Sequence, residues 1–495
     1  MYDGGLLKVR FLGLWLYKQG QGSTGSLAQP FLGADNPVIL GQKAECMVGI
    51  LRGLLPMAFV PLLLRGQQPA FPGAEGWGMF AKGGRGGLVV KVTNLNDDGP
   101  GSLRQAVAHA MPRIIVFDVA GTIDLQSPLE INSPYLTIAG QTAPGEGICL
   151  KRFPLKIHNT HDIIIRGIRV RPGIESGLKG SEVDAMNIDS SENVIIDHCA
   201  FSWSTDEGIN NWHGSKFITV QWCVMSEPLN KSIHEKGPHG FCASIGGFKA
   251  SFHHNLLANG VARNPSIAGN NQAPTVLLDF RNCVISNWGQ RSCDGKPLSI
   301  NLVNNYYKPG PATGEEVKRR IARIDNSEKQ GFAGLWHIEG NYVEGFPQIS
   351  ADNWAGGVDL EEGGSAARNR RLEPFEVAPV TTQSAVDAYE LVLKYAGCYP
   401  NRDSQEKRII EQVRTGKYPA GANGIIDSVR QAGGWPALKT GTPPRDTDKD
   451  GIPDEWELLN GLNPGNPADA NKMAANGYMN IENYVNGLMP VNYKR

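Results

Sequence analysis

Between Asp184 and Gly269 the chain carries a line of oxygen ligands followed by a group of cationic and basic side chains. SEVDAMNID supplies Glu182 and Asp184, and WSTDEGINN supplies Asp206, Glu207 and Asn210. Carboxylate and amide oxygens gathered from separate segments are the donor set that a hard cation such as calcium needs. Any one of these acids alone would read as a solvated surface group, but their shared register favours a joint role. HEKGPHGFCASIGG adds Lys236 and His239, and ANGVARNPSIAG adds Arg263. A cation site beside such side chains suits an anionic, carboxylate-bearing substrate. A second acidic group lies far downstream. DTDKDGIPDEWE sets Asp446, Asp448, Asp450, Gly451, Asp454 and Glu457 in the order of an EF-hand-like calcium loop, with Ile452 offering a backbone carbonyl. Its carboxylates are all consumed as ligands, so this site reads as structural rather than catalytic.

Elements must bring these residues together, and a repeat supplies them. NVIIDHCAF, FITVQWCVM, SFHHNLL, VLLDFRNCVI, SINLVNNYY and LWHIEGNYV each run from a β-rich stretch into Cys or Asn and then two apolar or aromatic residues. The polar column is Cys199, Cys223, Asn255, Cys283, Asn305 and Asn341, with successive members 22 to 36 residues apart. Such short units cannot bury an apolar face alone, so they stack as coils of a parallel β-helix with an inward row of Ile, Val and Leu. An Asn at each turn can bond to the next coil. An antiparallel sandwich fits less well, because two-residue Asn-Gly or Asp-Gly turns are scarce between the segments.

The 495 residues, 41% of them hydrophobic, suffice for a large core, and 60 glycines imply many tight turns. A net charge of −1 and a pI near 6.8 give no reason to expect nucleic acid or an anionic membrane as partner. Residues 1–46 lack periodicity and read as an extension or a mis-assigned start. Residues 47–68, with MVGILRGLLPMAFVPLLL, resemble a secretory signal and are too short and proline-interrupted for a membrane span. The solenoid is expected over 69–376, a helical or irregular segment packed on it over 377–441, and the calcium-binding end over 442–495. Ser102 or Gly101 starts a short helix with Leu103, Ala106 and Val107 on one face, capping the solenoid's open end. Ser384 to Val413 reads as largely helical with Ser384 as N-cap, and IIDSVRQAGGWP as a second such piece. GGRGG is a poor phosphate loop, since no GK[ST] follows. Among eight cysteines no CxxC occurs. Cys199 and Cys223 fall at equivalent places in adjacent coils, as a bridge or as buried thiols standing in for Asn.

The order IDHCAFSW, DEGIN, FITVQWC, KGPHG, FHHNLL and ARNP resembles the pectate lyase family, and IAGQTAPGEGI (Ile138 to Ile148) its bacterial branch, over Phe71 to Pro311. The resemblance implies an all-β, right-handed parallel β-helix solenoid, here with an N-terminal capping helix and a small helical, calcium-binding C-terminal segment. It implies secretion, polygalacturonate as partner and Ca2+ as cofactor. In the family's pattern Asp184, Asp206 and Asn210 match calcium positions, with Glu182 a looser match. Arg263 matches the catalytic arginine, and Lys236 the substrate-binding lysine, with His239 as its rival. Asn210 stands where Asp is common, and Ala268 where a second arginine often follows. The implied reaction is β-elimination: the C5 proton lies α to a carboxylate that calcium and Lys236 neutralise. Arg263 as base is demanding, because a free guanidinium has a pKa above about 12. A solenoid glycoside hydrolase would need two carboxylic acids; adjacent Asp206 and Glu207, if on a strand, would point to opposite faces. A noncatalytic binder would stack sugars on Trp203, Trp212 and Trp222. Nothing signals an oligomer, and a monomer is expected.

Overall fold

A computed structural model describes residues 67–490 and 493, apart from 174–181, 271 and 326–333. The extension 1–46 and all but the last two residues of the signal-like stretch 47–68 lie outside the described residues. From Leu88 to Leu360 the chain winds through three sheets of ten, nine and nine strands, every strand pairing parallel to its neighbours in the coils before and after. This is the parallel β-helix solenoid, and it excludes the antiparallel sandwich.

Each repeat unit read from the sequence resolves into two strands with a corner between them. NVIIDHCAF forms Glu192–Asp197 in the first sheet and Ala200–Ser202 in the second, and FITVQWCVM forms Lys216–Gln221 and Val224–Ser226. The corner is made by one left-handed residue: His198, Trp222, His254, Asn282 and Asn304 have φ of 50, 54, 56, 52 and 53°. Asn and His tolerate that region better than β-branched residues, and at these positions the first-sheet strand ends and the chain turns. Immediately after each corner comes the polar column. Cys223 N donates to Asn255 Oδ1 at 2.8 Å, Cys283 N to Asn305 Oδ1 at 2.9 Å, Asn305 N to Asn341 Oδ1 at 2.9 Å, and Asn341 N to Asn353 Oδ1 at 3.0 Å. Backbone donors that a corner would leave unpaired inside the core are thereby satisfied. Cys199 and Cys223 are free buried thiols, and Cys199 N points at Cys223 Sγ at 3.4 Å; they take the Asn place without a bridge.

Strand alternation fills the interior. Ile163, Val194, Ile218, Ala250, Leu278, Ile300 and Trp336 stack coil on coil in register, and two residues on Ile165, Ile196, Val220, Phe252, Phe280, Leu302 and Ile338 do the same. The outward faces of the first two sheets are covered. The glycine-dense stretch from Ala70 to Gly87 crosses the first sheet: Gly78 N donates to Thr219 Oγ1 at 2.8 Å, and a Cβ at Gly84 would lie 1.9 Å from the Arg113 carbonyl. That close approach accounts for GGRGG without a phosphate. The helix expected after Gly101 is Leu103–Val107, capped by Ser102, and its Leu103, Ala106 and Val107 join the end of the core.

Ser384 to Val413 divides into Ala385–Tyr395, capped by Ser384, and Ser404–Thr415, capped by Asp403; Gly397 and Pro400 interrupt the run. Both helices pack on Ala200, Val224, Leu256 and Val284 of the second sheet. IIDSVRQAGGWP yields only the 3-10 turn Val429–Ala432, whose Val429 packs with Trp203. The third sheet, which the repeat did not reveal, carries the candidate site. Its strands include Met186–Asp189, Glu207–Asn211, Phe241–Ile245 and Ser266–Ile267.

Candidate active site

Four consecutive coils place their functional residues at the same corner, where the chain enters the third sheet. Asp184 precedes the strand Met186–Asp189, Asp206 and Glu207 open Glu207–Asn211, Lys236 and His239 precede Phe241–Ile245, and Arg263 precedes Ser266–Ile267. Glu207 is in register with Phe241, which bridges Ala262. At roughly 4.8 Å per coil, the Arg263 side chain must reach back across two coils. It does so over the Phe241 ring, its guanidinium carbon 4.4 Å from the centroid, and pairs with Glu207 through Nη1 and Oε1.

Asp184, Asp206 and Glu207 each bring one carboxylate oxygen within 4.8 Å of the other two, and all three side chains are buried. Asp184 Oδ1 accepts from Glu207 N at 2.8 Å and Oδ2 from Asn187 Nδ2 at 2.5 Å. Burial and the neighbouring Asp206 push Asp184 up to about 6. Burial, then Asp184 and Asp206, push Glu207 well above the ordinary carboxylate range. Asp206 Oδ1 and Asn210 Oδ1 are buried without a hydrogen-bond partner. Like charges held this close, with oxygens left free, are the environment that a divalent cation relieves; these residues could hold one.

Asp206 and Glu207 do not diverge as alternation along a strand would require. The strand begins at Glu207, so Asp206 belongs to the preceding bend and both carboxylates face Asp184. Asn210 projects from the strand beside Asn187, its partner in register, rather than within the acidic trio; Glu207, one of the oxygen ligands read from WSTDEGINN but not among the positions matched to the family's pattern, fills that trio. On the other flank Lys236 Nζ pairs with Glu182, both largely exposed. His239 stacks on His234 with ring centroids 3.7 Å apart, and His234 Nε2 lies 3.4 Å from Asp206 Oδ2. His234 was missed because HEKGPHG offers several candidates and nothing in its spacing marks the first. Trp203 and Trp222 are buried, Trp222 stacked on His254 at 4.2 Å, so neither presents a face to sugar; Trp212 is half-buried against His213.

The downstream acids form a separate centre. Asp446, Asp448 and Asp450 bring oxygens within 4.8 Å of one another, and so do Asp450, Glu457 and Asp469. Asp454 stands apart, accepting from Thr447 N and Oγ1 at 2.7 Å each. Gly451, at φ 93°, makes the sharp turn. Asp469 carries no signal in the sequence, since it lies beyond the loop pattern among Asn and Pro.

No protein-family model matches the chain. Among curated proteins, "Probable pectate lyase C" of Aspergillus fumigatus is 36% identical over 430 residues, covering 86% of this chain and 94% of that protein. The protein of the same name from Emericella nidulans is 34% identical, covering 86% and 94%. The crystal structure of jun a 1, the major allergen from cedar pollen, superposes with a TM-score of 0.50 at 18% identity, over 66% of this chain and 92% of that one, which supports the fold. Both curated relatives are fungal, where Ile138 to Ile148 pointed to a bacterial branch. That segment folds as a coil turn, with Thr142 Oγ1 bound to Ala139 O at 2.7 Å and Phe117 N at 2.9 Å, so its residues answer to geometry rather than lineage. At this identity, over nearly the full length of those relatives, the chain belongs to the pectate lyase family, polysaccharide lyases built on a parallel β-helix.

Proposed function

We propose that the chain cleaves α-1,4-linked polygalacturonate by β-elimination, with calcium held by Asp184, Asp206 and Glu207 and with Asn210 and Glu182 at its margin. The observation that carries this reading is the contact of Arg263 with an acidic trio that is buried and short of partners. A bound calcium would neutralise the uronate carboxylate and acidify the C5 proton beside it. Lys236, held near the trio's far flank through Glu182, binds the substrate's negative charge, with His239 beside it. Arg263 is the base that takes the C5 proton. Burial favours its neutral form, but Glu207 overrides this and raises its proton affinity. Proton abstraction therefore requires the Glu207 contact to loosen when substrate enters and excludes water.

Because the polymer is too large to enter a cell, the protein is read as secreted, acting as a monomer. Among the described residues no helix is long and apolar enough to cross a membrane. The downstream DTDKDGIPDEWE segment is read as a second, EF-hand-like calcium site, structural in role, with Asp446, Asp448, Asp450 and Glu457 as ligands and Asp454 bracing the turn. One assay decides the main reading: incubation with polygalacturonate, with and without a calcium chelator, followed by ultraviolet absorbance of unsaturated product. Chelator-sensitive absorbance is expected. Reducing ends without absorbance would mean hydrolysis, and neither signal would mean a binding protein.

A further inference from the structure

The C-terminal segment lies across the outside of the first coils. Ile452, Ala470, Ile481, Tyr484 and Val485 pack on Ile114, Val116 and Ala139, outward-facing residues of the first sheet. Polar contacts follow the same seam. Lys91 Nζ reaches both Asp118 at 3.0 Å and Asp446 at 2.9 Å, Arg85 pairs with Glu482 at 2.9 Å, and Arg166 Nη1 donates to Asn486 Oδ1 at 3.0 Å. Yet the heart of this docked segment is five acids brought together, of which Lys91 offsets one.

Their oxygens are unevenly served. Asp446 accepts from Lys449 N and Gly451 N, and one oxygen each of Asp448 and Asp450 accepts from Asp450 N and Ile452 N. Both oxygens of Glu457, Oδ2 of Asp448, Oδ2 of Asp450 and Oδ1 of Asp469 are buried with no partner. Glu457 is 0% and Asp469 3% exposed. Orphan carboxylates this deeply buried are strongly unfavourable unless a cation meets them. Asp450 belongs to both triads, so the five acids share one centre. Five carboxylates in flexible, oxygen-only geometry suit calcium better than magnesium, which keeps its waters and tolerates fewer protein ligands.

We propose that Asp469, from the turn beyond the loop, joins Asp446, Asp448, Asp450 and Glu457 on one calcium ion, and that this ion fastens the C-terminal segment onto the first coils. The proposal rests on the EF-hand-like reading above and adds to it a ligand from outside the loop and a role. Asp469 is the link: Asn463 N donates to its Oδ2 at 3.2 Å, and the next residue, Ala470, packs on the solenoid beside Ile452. Ion binding therefore ties both the loop and the following turn to the same patch.

The test uses the full chain with Asp206→Asn, which cripples the groove site. Titration with calcium should then find one site, and calcium should lengthen the lifetime of the chain under trypsin at the exposed Lys449 at least tenfold. Asp469→Asn and Glu457→Gln should each weaken that site at least tenfold and abolish the protection, with near-ultraviolet circular dichroism in excess calcium reporting the fold. Loss with Glu457→Gln but binding within twofold for Asp469→Asn would leave the loop reading standing and overturn the five-ligand clamp. Equal protection with and without chelator, measured also on the unsubstituted chain, would overturn the fastening role. No calcium bound in the Asp206→Asn chain would sink both readings, and polygalacturonate turnover by the unsubstituted chain would still judge the groove separately.

Discussion

At the scale of single residues, the pair Glu207 and Arg263 decides how the groove works. Glu207 is almost wholly buried, sits among two other carboxylates and holds a guanidinium that reaches it over Phe241. Replacing Arg263 with Lys keeps a positive charge near the trio but removes the planar fork and its reach. Turnover on polygalacturonate should fall at least 100-fold, about 3 kcal/mol of transition-state stabilisation, with KM changed less than threefold; equal loss in both would count against a role at the reacting carbon. Glu207→Gln preserves shape and removes the charge that the cation and Arg263 both use. The calcium concentration for half-maximal turnover should rise about tenfold, near 1.4 kcal/mol, whereas an unchanged value would assign Glu207 to Arg263 alone. Asp184, Asp206 and Arg263, grouped from the sequence, lie at one corner of the fold. The expectation that Asp206 and Glu207 diverge fails because alternation assumes a strand through both acids, and the strand begins at Glu207.

At the scale of elements, the corners and their ladder carry the solenoid. Asn305 accepts from Cys283 N and donates to Phe280 O at 3.1 Å and Asn341 Oδ1 at 2.9 Å, all without access to water. Asn305→Ala strands a buried donor and an acceptor, so a loss of about 2–4 kcal/mol is expected in urea unfolding; a loss under 0.5 kcal/mol would mean that the ladder is incidental. The helix Ser404–Thr415 is fixed differently. Its cap Asp403 takes Arg171 Nη1 at 2.6 Å and Nη2 at 3.1 Å, while Arg169 Nε binds Glu406 Oε2 at 2.5 Å, all four residues buried. Burial alone would raise Asp403, but the charge and hydrogen bonds of Arg171 bring it down to about 2. A carboxylate lowered in the fold stabilises above its unfolded pKa of about 3.9 and loses that contribution as pH falls toward 2, about 3 kcal/mol in all. Unfolding free energy measured at pH 6, 4 and 3 should show this decline, and Asp403→Asn should flatten it while lowering stability throughout; an unflattened profile would assign the decline to other acids.

At the scale of the molecule, the sequence disclosed what repeats and hid what does not. The Cys and Asn column was legible because every coil turns at the same point and the residue after each turn must serve the backbone donors of its neighbour in the core. The third sheet stayed hidden because polar residues interrupt its strands, as in EGINN and CDG, and erase the apolar pattern. The coverings were legible only as pieces: a glycine-dense stretch, two helices and an acidic end, with nothing in the chain to say which sheet each would meet. They cover the first two sheets and leave the corner of the third sheet to hold the site, so the coverings and the groove should be separable. Deleting residues 442–495 would uncover Ile114, Val116 and Ala139, each now at most 3% exposed, and take Asp446 from Lys91 and Glu482 from Arg85. Re-exposing each of the two larger side chains costs about 1.5–3 kcal/mol, and a bare apolar patch beside parallel strands invites self-association. The truncated chain should bind a hydrophobic dye, scatter light on warming and unfold several degrees lower. Its turnover per folded molecule, measured on ice-cold fresh protein with calcium in excess, should stay within threefold of the full chain. Turnover lost in parallel with dye binding would instead mean that the C-terminal segment shapes the groove through the coils, and that covering and catalysis are one unit.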